Sequence, residues 1–311
     1  MPICHRIVQG LAGLLGAVAC TVLAVPAASA FELDTPEGQL RAFRRIQCSE
    51  VDGEAVTYSW RGAAYSRVQG ERDRKLFNVE GMNIRQCVTV NDPEKGAGFR
   101  FVTREILLYL DPETNEILRT WKNPWTGVTT QVLHVANDPV NQGPIFPRYG
   151  GGRTFSMPFQ FNGDHWWLTS TVPLYYGNKL GGDYQDYIGG KYHATEMFNF
   201  FGDVASLTDE RSSTADNAVG WARISDWLPW MEMGSREGVI YMHTAGRKLG
   251  SFDELPAIMK EEIARNYPEY TQPPPLDDDR PNETSWTYFK KMVESGKFTG
   301  SAGLKENAPA E

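Results

Sequence analysis

Cysteine is scarce. The 311-residue chain has four, and two of them, Cys4 and Cys20, lie in the first thirty residues. A miniature scaffold held by many disulfides is therefore excluded. Basic charge is also in short supply, with 31 Lys and Arg against 39 Asp and Glu, a net charge of −8. A phosphate-binding surface needs clustered cations, so nucleic acid is not expected as a partner. After residue 30 no apolar run approaches the ~20 residues of a membrane span, so no stable insertion of a mature chain is expected. No Gly-x-Ser-x-Gly elbow, His-Glu-x-x-His helix or phosphate loop is present, and no βαβ alternation. The signatures of serine hydrolases, zinc proteases and nucleotide enzymes are thus missing. What is abundant is aromatic: 9 Trp, 13 Tyr and 15 Phe, alongside 30 Gly and 19 Pro. Such a mixture suits a β-rich protein with many turns.

Residues 1–30 read as a signal peptide. Arg6 precedes an apolar stretch from Leu11 to Val25, and Ala28-Ser29-Ala30 fits a small-x-small cleavage site. Cleavage near Ala30 would make Phe31 the first mature residue. Gly13, Gly16 and Pro26 interrupt the stretch, which argues against an uncleaved anchor. Cys48 and Cys87 then remain, and an even pair in an exported chain invites a disulfide.

A helix is expected over 36–48, with Thr35 as cap and Pro36 in the first turn. Period-two patterning follows. Strands are expected at 56–60, 99–110, 117–121, 128–135, 192–201, 219–224 and 239–244. Phe155, Met157, Phe159 and Phe161 alternate with polar residues or proline before Asn162-Gly163, a favoured hairpin turn. That turn would put Phe161 opposite Asp164, Phe159 opposite Trp166 and Met157 opposite Leu168. The expected fold is mainly β, an antiparallel calycin-like barrel with flanking N- and C-terminal helices; the alternative is a two-sheet sandwich. A single β-rich domain would span 31–270. Within it, Ser251 and Glu254 form a capping box for a helix near 252–266. Residues 271–311 read as an acidic Pro-rich linker, a short helix at 285–295 and a frayed tail.

Three blocks are distinctive: Leu76-Phe-Asn-Val-Glu-Gly-Met-Asn83, Trp121-Lys-Asn-Pro-Trp-Thr-Gly127 and His134-Val-Ala-Asn-Asp-Pro-Val-Asn141. They resemble an uncharacterised family of exported bacterial proteins, the domain of unknown function numbered 1838, over roughly residues 36–270. The resemblance implies export from a bacterium, to the periplasm or the medium. It implies no reaction, cofactor or set of catalytic residues.

The chemistry must then be read from the residues. His134, His165, His193 and His243 fall in different strand-like runs and could converge on a metal. His134 and Asp138 could form an acid–base pair at a cavity rim. Arg104 and Glu105 are adjacent on one strand, so they point to opposite faces, and both faces are apolar. At least one charge should need a partner or a use. Arg104 is then a candidate carboxylate clamp and Glu105 a candidate general base. Residues 155–201 hold 13 aromatics in 47 positions. Trp166, Trp167, Tyr175, Tyr176 and Tyr192 are candidates to line a pocket for an apolar or aromatic molecule. Three readings follow. The first is an exported small-molecule-binding protein. The second is a periplasmic enzyme of lyase, isomerase or hydrolase type acting through histidine and carboxylates, with or without a metal. The third, resting on the acidic charge alone, is an interaction module at the cell surface.

Overall fold

A computed structural model describes residues 30–177 and 191–306. The signal-peptide reading of residues 1–30 falls, but for Ala30, outside the described residues. Helix α1 (Pro36–Gln47) starts as its sequence requires: the Thr35 side chain accepts from Gly38 N–H at 3.0 Å, and Pro36 opens the first turn. Three long strands follow, β1 (Val56–Arg67), β2 (Arg74–Asp92) and β3 (Gly96–Leu110). Four short ones come next: β4 (Thr120–Lys122), β5 (Thr129–Gln131), β6 (Val135–Asn137) and β7 (Gln142–Ile145). The chain continues with β8 (Gln160–Asn162), β9 (His165–Gly177), β10 (Lys191–Asp203) and a short helix α2 (Val204–Thr208). Strands β11 (Ala218–Ser225) and β12 (Val239–Leu249) complete the β elements. Helices α3 (Ala257–Asn266), α4 (Ser285–Glu294) and α5 (Gly300–Glu306) end the chain.

Ten strands form one antiparallel sheet in the order β6-β3-β2-β1-β12-β11-β10-β9-β8, with β7 also paired to β3. The fold is therefore mainly β and antiparallel with a few helices. No ladder joins the β6–β7 side to β8 among the described residues. The sheet is nevertheless strongly curled. Glu105 on β3 feels the charge of Glu196 on β10, although five ladder steps separate those strands. In a flat sheet that is about 24 Å. Only a concave sheet brings the two carboxyls within influence of each other.

Two apolar clusters fill the ends of the concavity. At one end Ala42 and Ile46 of α1 cluster with Trp166, Leu168, Phe200 and Val219. At the other end Phe77, Tyr109, Trp121 and Trp230 pack ring against ring at centroid distances of 5.3 to 5.9 Å. Trp286 and Phe289 of α4 and Phe298 join this second cluster. Residues 271–283 are extended but not free. Arg100 donates to the carbonyls of Leu276 and Asp278, and Gln86 to that of Pro274.

The longest strand, β2, is not among those expected, because Leu76, Phe77, Val79, Met82 and Ile84 are buried on both faces and leave no clean alternation. Two local expectations are corrected. The hairpin pairs Phe161 with Trp166 and Asn162 with His165, so Gly163-Asp164 is its loop and the register shifts by one pair. Gly163 takes φ +63°, while Asp164 stays out of the left-handed region, which matches glycine at the first loop position of a type II′ turn. Phe161 and Trp166 still share a face. Residues 155–159 do not join the strand; Pro158 has no ladder donor to offer. Finally, Ser251 makes no side-chain cap: residues 252–254 form a single 3-10 turn, Leu255 before Pro256 is extended, and α3 begins only at Ala257.

Candidate functional site

Residues paired across a ladder point to the same side of the sheet. The ladders align one polar row on the concave face: Lys248 opposite Tyr58, Tyr58 opposite Asn83, Asn83 opposite Glu105, and Glu105 opposite Asn137. Five strands contribute one residue each. Arg85, two positions beyond Asn83 on β2, extends the row. Glu196 and Arg223 face each other across β10 and β11 and form an ion pair at 3.0 Å.

Above this row the wall is aromatic. Trp60 and Trp221 sit with ring centroids 6.3 Å apart, and both keep partial exposure, as does Phe198. Glycines make the space. A Cβ on Gly81 would lie 2.2 Å from Trp60 Nε1, and one on Gly246 would lie 2.6 Å from Trp60 Cα. The indole of Trp60 thus lies flat along the sheet, over backbone that carries no side chain.

Glu105 is the chemically informative member. Asn137 Nδ2 donates to its Oε1 at 2.8 Å. Burial raises the carboxyl above its usual range, and the nearby Glu196 charge pushes the same way; Asn137, Arg223 and Arg85 oppose them. The side chain keeps some accessible surface, so it is not packed shut. Lys248 has no such freedom. Its ammonium donates to Arg45 O at 2.5 Å and to Thr214 Oγ1 at 2.8 Å, and burial holds its pKa well below the ordinary lysine value. It terminates α1 and is committed to structure.

The residues singled out in the sequence separate here. Arg104 is on the opposite, convex face. It donates to Asp138 at 2.9 Å and to the carbonyls of Glu269 and Gln272, while Arg280 binds the same Asp138 at 2.8 Å. It is a structural tie to the C-terminal segment, not a clamp in the cavity. Asp138 is consumed by those two arginines, so it does not form the expected pair with His134. His134 is buried, and its Nδ1 accepts from Tyr109 N–H at 3.1 Å. Desolvation, helped by Arg119, lowers its pKa to about 4, so it is neutral at physiological pH. Its small cavity, lined also by Tyr109, Trp230, Ser285 and Tyr288, has room for about one water.

The four histidines do not converge on a metal. His165, His193 and His243 are exposed, and His165 Nδ1 lies 2.9 Å from Asp203. Among the described residues no three His, Cys, Asp or Glu side chains group as metal ligands. Trp166 is a core residue, 1% exposed and packed edge-on against Phe159 at 5.8 Å. Trp167 is half-buried on the other face of β9. The side chains of Tyr175, Tyr176 and Tyr192 lie outside the described residues. Cys48 and Cys87 are joined by a disulfide that pins the end of α1 to β2.

Sequence reasoning reached Glu105 but missed Arg85, Asn83, Tyr58, Glu196 and Arg223 as its neighbours. A polar residue at the middle of a long buried strand was the available signal, and Asn83 and Arg85 both carry it. Comparison with curated proteins gives no match. A protein-family comparison does match, over residues 53–293, an interval that includes Tyr58, Trp60, Asn83, Arg85, Glu105, Asn137, Glu196, Trp221, Arg223 and Lys248. The chain belongs to the family described as protein of unknown function (DUF1838).

Proposed function

We propose that the concave interior of the sheet binds a small apolar or aromatic molecule in an exported protein. The observation that carries this reading is Glu105: an enclosed carboxyl, hydrogen-bonded to an amide and not to a cation, facing half-exposed indoles. A packed core gains nothing from such a group, whereas a binding site uses a few convergent polar groups to orient a mostly apolar ligand. The same reading takes the curled sheet as a calycin-like barrel. Side chains bridge its open seam: Phe43 of α1 touches Phe155 at 5.8 Å, and both pack with Ile145 of β7.

Titration of the purified protein with aromatic and fatty acids is expected to quench tryptophan fluorescence saturably, and less so in Trp221→Phe. A signal that never saturates would reject the reading. Mass spectrometry of the exported form is expected to find Phe31 at its N-terminus; an intact leader would reject export by cleavage.

The pair of carboxyls supports a second reading, acid–base catalysis in the same interior. Glu105 would deliver a proton, beside a Glu196 already held by Arg223. Chemical change of a bound ligand, abolished in Glu105→Gln with binding retained, is the expected sign.

A further inference from the structure

Arginines in this fold are mostly neutralised by carboxylates. Arg41, Arg44, Arg67, Arg104, Arg119, Arg223 and Arg280 each have one within 3.4 Å. Arg85 does not. Its Nε donates to Asn83 Oδ1 at 3.0 Å and its Nη1 to Gln47 Oε1 at the end of α1. Its Cζ lies 5.3 Å from the Tyr58 ring centroid and 5.2 Å from that of Phe101. Two neutral amides and two aromatic rings therefore fix the guanidinium plane. Among the described residues no carboxylate reaches ion-pair distance, and Nη2 makes no hydrogen bond. The side chain lies on the concave face, in the polar row, and retains partial exposure.

An enclosed cation with no carboxylate at ion-pair distance is costly, and burial pulls Arg85 down from its usual pKa against the opposing charge of Glu105. Arginine nevertheless stays protonated at physiological pH. The fold thus holds a rigid cation with Nη2 unused, on the same face of the sheet as the Trp60 and Trp221 indoles. Rigidity matters because a donor already fixed in place loses little entropy when it binds.

We propose that Arg85 anchors the carboxylate of an aromatic or apolar monocarboxylic acid, with the apolar body of the acid against Trp60, Trp221 and Phe198. This rests on the interior-binding reading above and names its ligand class. Arg85 and Glu105 are diagonal neighbours on β2 and β3, about 7–8 Å apart along the sheet. A carboxylate placed between them would accept from Arg85 Nη2, and the raised pKa of the Glu105 carboxyl lessens the repulsion between the two acids. A single negative charge suits the site. A dianion such as a phosphate would also face Glu196, which Arg223 already occupies.

The test is calorimetric titration of the full mature chain with matched carboxylate and carboxamide pairs: benzoate and benzamide, hydrocinnamate and hydrocinnamamide, octanoate and octanamide. Each amide keeps the shape and loses the charge. In at least one pair the carboxylate is expected to bind at least about tenfold tighter, the size of one charge-assisted hydrogen bond. Arg85→Met should bring that ratio close to one while leaving the amide's affinity in place. Arg85→Lys, which keeps the charge without the planar fork, should lower the ratio part of the way. A carboxylate preference that survives unchanged in either folded variant overturns the proposal. So does the absence of any preference in the unmodified protein, a measurement that needs no variant to fold. Amides and acids binding alike would leave interior binding standing and remove only Arg85's role. Failure of every pair to bind would remove both.

Discussion

The Glu105 carboxyl has one amide as its hydrogen-bond partner and a second carboxyl in its field, so its ionisation links pH to folding. Its folded pKa is raised from 4.5. Below 4.5 both folded and unfolded chains hold the proton. As pH climbs past 4.5 the unfolded chain releases it first, so this group's contribution to stability declines until the folded carboxyl also ionises. Glu105→Gln cannot ionise. Its melting temperature is expected to gain on that of the unmodified protein as pH rises from 4.5 through neutrality, and a constant difference would show that Glu105 titrates normally. His134 has the opposite sense of dependence. Its pKa falls from 6.5 to about 4 on folding, so the unfolded chain binds the extra proton between those values. Stability should therefore drop as pH falls from 6.5 to about 4, by at most about 3 kcal/mol relative to His134→Gln. Denaturant titrations at several pH values would measure it. Gly81 tests the aromatic wall. A methyl there meets the indole of Trp60 at 2.2 Å. Gly81→Ala is expected to cost about 1–3 kcal/mol and to alter the near-ultraviolet dichroism of the displaced tryptophan.

At the scale of elements, α1 is the lid on one end of the concavity, and three devices hold its C-terminus. Lys248 takes the carbonyl of Arg45, the Tyr58 hydroxyl takes that of Ile46, and the Cys48–Cys87 disulfide follows at once. All three act on the last turn, where carbonyls lack helical partners. The disulfide closes a loop of separation 39. Replacing both cysteines by serine should lower unfolding free energy by roughly 4 kcal/mol, read from denaturant midpoints. Two free thiols in the folded native protein would contradict the bond. The N-terminus of α1 was legible because Thr35 and Pro36 act within one turn. That of α3 was not: Ser251 and Glu254 have capping spacing, but Leu255, held extended by the Pro256 that follows it, separates them from the helix. A capping box works only if the turn after it can run on into the helix.

For the whole molecule, the C-terminal segment is part of the core and not an appendage. Trp286, Phe289 and Phe298 are at most 6% exposed within the larger cluster, and residues 274–283 hydrogen-bond to β2, β3 and the loop after β6. Truncation to alanine of one such aromatic costs about 3–5 kcal/mol, against a total stability of about 5–15 kcal/mol. Deletion of residues 272–311 is therefore expected to abolish cooperative thermal unfolding. A sharp transition in the shortened chain would show that the sheet stands without it.

The sequence by itself determined the mainly antiparallel β class, the starts of α1 and α4 and most strand positions, because these follow from caps, prolines and period-two patterning over a few neighbouring residues. It also determined that Arg104 and Glu105 must point to opposite faces, a consequence of the pleat alone. Which face was the interior was a tertiary decision. So was the fate of each candidate: Asp138 went to Arg104 and Arg280, His134 to a backbone amide, Trp166 into the core shared with α1. The polar row of Lys248, Tyr58, Asn83, Glu105 and Asn137 joins residues up to 190 positions apart in the chain. Only ladder register puts them side by side, and only the curl of the sheet brings Glu196 and Arg223 round to meet them. Register and curl depend on contacts between distant strands, and no local pattern of residues encodes those.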